Sequence, residues 1–490
     1  MIYLAVVLVY LGFLIAVGVY RSREVHNQDD FMVAGRSVPT SLLVATLVCT
    51  WIGSGSLFGG AGRAFREGFS ALWLSAGAWA GIAIVYFLAP RVRRIAQYTV
   101  PDLLETRYTP LARLLGTISI VLAYLTIASY QFIGGGRLLS IVVPSLDPRA
   151  GQVIICVLVV IVIALAGMKS IVTLDLVNGI LITGGILLAV PIVYHLAGGW
   201  KGLSTTLPET HFTPMGGPGV LAALGLFFPT FFLLLGESGM YQKFMSAKSE
   251  QDARRAVVGM IIGVIVVETA LAATAVFGAA LYWNNPAFHT AGGFDTATTE
   301  TIILELARHD LPVLPGLVLL TGAVAIIFST ATTFLIVPST NIARDLFQRF
   351  IAPEASPERV VRFQRWTVVA LAAVSLLLTT WFGNILEMAL FAYTIVGAAV
   401  TPALLAAFLW RRVTPAGGTA SVGAGMLTTL VFLVLKEVGW ETIPIGFGHT
   451  LPLEYDYVIY PAGLASIVCL IGVSLLTKPS PEEKWRPFFS

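Results

Sequence analysis

The chain has 490 residues, 57% of them hydrophobic and 12% charged, with a formal net charge of +3. A soluble domain uses about 25% charged residues to cover its surface, so this composition excludes a water-soluble protein. Apolar runs recur along the whole length, which also excludes a soluble domain on a single anchor.

A helix needs about 20 apolar residues to cross the hydrocarbon core. On that basis the chain reads as an all-α membrane protein of about thirteen transmembrane helices. They fall near 2–20, 39–64, 69–90, 113–143, 150–168, 171–196, 219–237, 257–283, 312–343, 364–383, 385–410, 418–437 and 457–477. The first run, IYLAVVLVYLGFLIAVGVY, lacks a positive start and a small-residue cleavage site. It is expected to be a retained span and not a signal peptide. After the third span, TVPDLLETRYTP predicts a short surface helix beginning near Pro101. The longest connections on the other side, about 284–310 and 438–456, are too short for separate domains.

Lys and Arg gather on alternate connections: Arg21, Arg91, Arg93, Arg94, Arg107, Lys243, Lys248, Arg254, Arg359 and Arg411 are among those on one side. The other side holds little beyond Arg63, Arg66, Arg149, Lys201, Arg308 and Lys436. The positive-inside rule makes the first side cytoplasmic. That predicts a multi-pass plasma (inner) membrane protein with its N-terminus outside and the tail 478–490 inside, as an odd span count requires.

Cys49, Cys156 and Cys469 are odd in number, far apart and set in apolar stretches, which offers neither a disulfide framework nor a zinc spacing. His26, His289 and His309 are scattered and form no catalytic cluster with other residues. The chain is not expected to be an enzyme. No phosphate-binding loop occurs, so no ATP-driven engine is expected, and no nucleic-acid partner is expected either.

Within the spans, small residues crowd the second: Gly53, Ser54, Gly55, Ser56, Gly59, Gly60 and Gly62. They suit close helix packing, or a broken helix whose freed carbonyls face a cavity, as transporters use for ion sites. The ninth span carries Ser329, Thr330, Thr332 and Thr333, of which 329, 332 and 333 share one helix face. A lone hydroxyl usually bonds back to its own helix; four together suit a hard cation such as sodium. Asp175 in the sixth span is a costly intramembrane carboxylate and marks an ion pathway, or else it bonds Thr173 or Asn178 near the interface. Arg137 and Glu268 are the other charges counted inside spans, and their roles are open.

At these residues the chain resembles the sodium/solute symporter family, which includes proline, pantothenate, sugar and sialic acid carriers. The resemblance rests on DFMVAGRSVP, IGSGSLFGGAG, VPDLLETRY, GGGRLL, TLDLVNG, YQKFMSAKSEQDARRA and STATTFLIVPSTNIARDLF, in that order across nearly the whole chain. It implies a LeuT-like 5+5 inverted-repeat core in a single transporter domain, 1–490. The repeats would be 39–196 and 219–410, with an extra helix at 2–20 and two more within 418–477.

The resemblance also implies sites. A conserved sodium ion would be held by the carbonyls of Cys49, Ile52 and Ile326 and the hydroxyls of Ser329 and Thr330. A second sodium, as in carriers resembling those for sialic acid, would use Asp175, Ser329, Thr332 and Thr333. Solute contacts would come from Gly53, Ser56, Ser75, Gln131, Phe228 and Thr230. Sugar carriers have amide and acidic side chains where Gly55 and Ser56 stand, and proline carriers have an aspartate where Trp51 stands. A different organic acid or amino acid is therefore expected. The implied function is import of a small organic solute with two sodium ions by alternating access. The alternatives are a proton-coupled carrier of the same fold, and a sodium-leak channel or membrane sensor.

Overall fold

The computed structural model describes residues 2–489 apart from 24–26, 96, 218, 382–383 and 447–448. His26 and the last residues of the expected tenth span, 382–383, thus lie outside the described residues. Among the described residues, twelve helical stretches are long and apolar enough to cross a membrane. One of them, Gly55–Ile95, turns at Gly68–Ala71: its first part completes the span begun by Thr40–Trp51 and its second part is a further crossing, which gives the thirteen expected spans. The protein is a multi-pass membrane protein.

Two spans are interrupted in mid-course. The second runs as Thr40–Trp51, leaves the helical conformation at Ile52 (φ −74°, ψ 101°), and resumes through a wide π turn at Gly55–Gly60. The seventh runs as Gly219–Gly236, extends at Glu237, and restarts as Ser238–Ser246. Glu237 organises the restart, since its carboxylate accepts from the backbone N–H groups of Gly239 (3.0 Å) and Met240 (2.5 Å). The expectation that this span ends near residue 237 is therefore corrected. The Gly-Glu pair that reads as a terminus is a break, and Lys243, counted with the loop cations, is buried inside the bundle.

The fifth and sixth spans are joined without a loop: the helical run Pro148–Leu196 is interrupted only at Gly167 (φ 56°, ψ −141°). A Cβ there would sit 2.7 Å from the ring and the carbonyl oxygen of Phe31, so both the backbone and the neighbour require glycine. The ninth span, Val313–Asn341, is buried without interruption from Leu319 to Asn341. A helix buried on every face lies in the middle of a bundle, and this one packs along the second, fourth and sixth spans.

The helix expected on the surface after Pro101 forms at Val100–Arg107, capped by Thr99, but it is buried. Arg107 reaches from it into the bundle and donates to the carbonyls of Arg411 (3.2 Å) and Val413 (3.0 Å). Arg113, just beyond, bonds Asp102 (2.5 Å), Glu105 (2.7 Å) and Asp345 (2.6 Å). These ion pairs draw the segment inward. At the other end of the bundle each long connection contains a two-stranded hairpin. There Glu300 is buried against Arg137 (2.6 Å), and Arg63 lies between Glu67 and Asp456 (2.8 Å each). Arg63 and Arg137 therefore tie the spans to these connections.

Candidate functional site

Interrupting a helix leaves carbonyls without their usual N–H partners, and a buried polar group must be satisfied in another way. At the break in the second span, the hydroxyl of Thr330 donates to the carbonyls of Cys49 (3.3 Å) and Ile52 (3.1 Å). Ile326 lies one turn earlier on the same span, also buried. The donors are carbonyl and hydroxyl oxygens closed off from solvent, a hard set that suits sodium. Ser329, expected with them, instead bonds Asp175 Oδ1 at 2.5 Å.

Beside Thr330 the break is held open by Gly53, where a Cβ would lie 3.0 Å from both Gln131 Nε2 and Thr330 Cγ2. Gln131 Oε1 accepts the backbone N–H of Ser54 (3.0 Å). Gln131 Nε2 and the Ser54 hydroxyl are buried without a hydrogen-bond partner.

Asp175 is buried, and Thr46 donates to its other oxygen at 2.5 Å while Asn178 is 3.4 Å away. Thr173 bonds back to Lys169 instead. Of the expected cluster, Asp175 and Ser329 bond one another and Thr333 reaches them only through Lys243, while Thr332 turns away. The Thr332 hydroxyl bonds back to Ser329 O (2.8 Å), and Thr333 faces Thr50 (3.3 Å). Lys243 stands between them, with Nζ on Thr46 O (3.0 Å), on the Thr50 hydroxyl, 3.4 Å from Thr333 Oγ1 and 3.8 Å from Asp175 Oδ2. The Lys243 amino nitrogen occupies the oxygen-lined space where the second ion was expected.

On the opposite side of the break lies Glu268. Its carboxylate accepts from the Trp51 indole (3.0 Å), the Ser56 hydroxyl (3.3 Å), the Trp79 indole (3.1 Å) and Ser75. A void of about 20 Å³, lined by Ser56, Gly60, Leu74, Ser75 and Glu268 among others, opens beside it. Tyr130 and Tyr393 bond one another next to Gly55, whose Cβ would meet the Tyr393 hydroxyl at 2.7 Å.

Of the expected solute contacts, Gly53, Ser56, Ser75 and Gln131 therefore gather around the break. Phe228 and Thr230 do not. Phe228 turns to the last span, where it packs edge-on against Tyr460 (6.2 Å). The Thr230 hydroxyl is occupied by Leu226 O (3.0 Å). The residues missed were Lys243, Trp79, Tyr130 and Tyr393, along with the placement of Glu268. Of these only Glu268 carried a sequence signal, as a charge in mid-span.

A family model described as "Sodium:solute symporter family" matches residues 31–425. The high-affinity proline transporter PutP of Bacillus subtilis (strain 168) is 26% identical over 487 residues, covering 95% of this chain and 96% of that protein. The sodium/proline symporter of Staphylococcus aureus (strain JH9) is 25% identical over 492 residues, covering 96% of this chain and 92% of that protein. Among solved structures, a Na+-coupled sialic acid symporter in a substrate-bound outward-open state aligns with a TM-score of 0.77. Its sequence identity is 17%, and 98% of each chain is covered. That likeness is one of fold, and the fold is LeuT-like.

Proposed function

We propose, from the premise that this chain belongs to the sodium:solute symporter family, that it imports a small organic solute with sodium by alternating access. The observation that carries the reading is the contact of Thr330 with the carbonyls of Cys49 and Ile52 at the break. It joins two spans through oxygen atoms, so an ion bound there would hold the broken span against the ninth and bias the bundle toward one state. Ion and solute would then strengthen each other's binding reciprocally. Gly53, Ser56, Ser75 and Gln131, around the same break, would form the solute pocket.

The sequence suggested two ions. With the Lys243 side chain already set among Asp175, Thr46 and Thr333, we favour one sodium per cycle, at the Cys49–Ile52–Thr330 site with Ile326 and Ser329 alongside. One ion entering down a potential of 100 mV contributes about 2.3 kcal/mol, near fiftyfold in solute concentration before the sodium gradient is counted. The repeats 39–196 and 219–410 fit a core in which the first helix of each half is interrupted. The basic connections favour an N-terminus outside and a cytoplasmic C-terminus. The relatives named as proline carriers keep an amino acid first among solutes to test, ahead of a simple organic acid.

The test is the thermal stability of the purified protein in sodium against potassium at equal ionic strength. A ligand that binds the folded state raises apparent stability by RT ln(1 + [L]/Kd). A sodium-specific rise is expected; equal midpoints in the two salts would overturn the reading.

A further inference from the structure

Among the described residues, the buried carboxylates of this protein have compensating partners with one exception. Asp30 pairs with Lys169 (2.9 Å), Asp102 and Asp345 with Arg113 (2.5 and 2.6 Å), Asp175 with Lys243 (3.8 Å) and Glu300 with Arg137 (2.6 Å). Glu237 sits on the N–H groups that open a helix. Glu268 has neither a cation nor a helix end. Its partners are the indoles of Trp51 and Trp79 and the hydroxyls of Ser56 and Ser75, all neutral.

An uncompensated carboxylate inside a membrane span is costly, and such a residue marks a substrate or ion pathway. The carboxylate bonds a residue on each side of the break in the second span, Trp51 before it and Ser56 after it. It also borders a void of about 20 Å³, room for roughly one water-sized group. Indole N–H groups donate only and offer no lone pair to a metal ion. An ammonium group brings its own N–H donors, which the carboxylate and the two serine oxygens can accept.

We infer that Glu268 supplies the counter-charge for a protonated amine, so that the solute is an amine or a zwitterionic amino acid and not a plain organic acid. The inference rests on the symport reading above and narrows its solute class. The ammonium head enters the slot between Ser56 and Ser75, in the void that Glu268 borders. The charge that the protein leaves unmatched at Glu268 is then matched only when solute is bound. That couples occupancy of the pocket to the geometry of the broken span.

The experiment measures thermal stabilisation of the full-length protein in saturating sodium by matched pairs of compounds. These are L-proline against cyclopentanecarboxylate, L-alanine against propionate, and ethanolamine against ethylene glycol. At least one amine-bearing member is expected to stabilise, with its amine-free partner at least about tenfold weaker. Glu268→Gln is expected to weaken that response by a similar factor, and Glu268→Asp to retain part of it. The inference is overturned if no amine-bearing member binds, if an amine-free partner binds equally well, or if E268Q stays within about twofold of wild type. A protonated, uncharged carboxyl at this position would give the equal-binding result. A sodium response without amine preference would sink this inference and leave symport standing. Loss of the sodium response itself would sink the symport reading, and the inference with it.

Discussion

Lys243 Nζ lies 3.8 Å from Asp175 Oδ2, and neither side chain reaches solvent. Removing one partner of a buried pair leaves an uncompensated charge and costs about 3–5 kcal/mol. Lys243→Ala should therefore lower the thermal midpoint sharply in potassium. Sodium should recover much of that loss, because the vacated space is lined by Asp175, Thr46, Thr50 and Thr333 oxygens. The midpoint should also rise more steeply with sodium concentration than in wild type. A loss that sodium does not repair would show that this space takes no ion.

Thr330→Val keeps the side-chain shape and removes the hydroxyl that reaches Cys49 O and Ile52 O. We expect it to weaken the sodium response by about tenfold or more, the equivalent of 1.4 kcal/mol, while Thr330→Ser keeps most of it. Titrating the midpoint against sodium for both variants checks this. A wild-type response in Thr330→Val would move the ion site elsewhere.

Two glycines of the second span separate rigid from yielding neighbours. A Cβ on Gly62 would lie 2.9 Å from the backbone of Glu300, whereas one on Gly55 would meet the end of the Tyr393 side chain at 2.7 Å. Overpacking against a backbone that cannot yield costs about 1–3 kcal/mol. Gly62→Ala should thus destabilise more than Gly55→Ala, while Gly55→Ala should chiefly disturb solute binding by displacing Tyr393. Thermal midpoints with and without solute distinguish the two, and equal midpoints for both variants would contradict the expectation.

His211, in the connection before the seventh span, is buried with its Nε2 3.1 Å from Phe65 O. Burial holds its pKa below the usual 6.5, although the bond to Phe65 pushes the other way. The unfolded chain takes up the proton first. The contribution to stability is therefore complete above the unfolded value and declines as pH falls through it. His211→Gln should flatten the fall in thermal midpoint between about pH 7.5 and 5.5, a window that brackets the unfolded value. Parallel slopes for wild type and variant would rule this out.

Hydropathy alone located the spans, because a membrane helix must satisfy its own backbone and needs a fixed apolar length. The glycine run at 53–62 read as either close packing or a broken helix, and the structure breaks the span beside it at Ile52; the hydroxyls at 329–333 were legible as a polar cluster. Lys243 was not, since Gly236–Glu237 resembles the end of a span and moves everything after it into a loop. Thr332 was over-read: the pull of its own helix took its hydroxyl. Phe228 could not be placed from one sequence, because its direction depends on how the final span packs against the seventh. The counter-charges of Arg137 and Asp175 lie 163 and 68 residues away in sequence, and no local pattern encodes such pairings.

Gly167 is the single residue between the fifth span and the helix that carries Asp175. Asp175 stands eight residues beyond it, which at 1.5 Å per residue makes an arm of about 12 Å. A swing of about 10° at this joint would carry the carboxylate sideways by roughly 2 Å on that arm, enough to part it from Ser329, now 2.5 Å away. Any angular play at this one glycine would thereby be geared up into making or breaking a contact between two membrane-spanning helices.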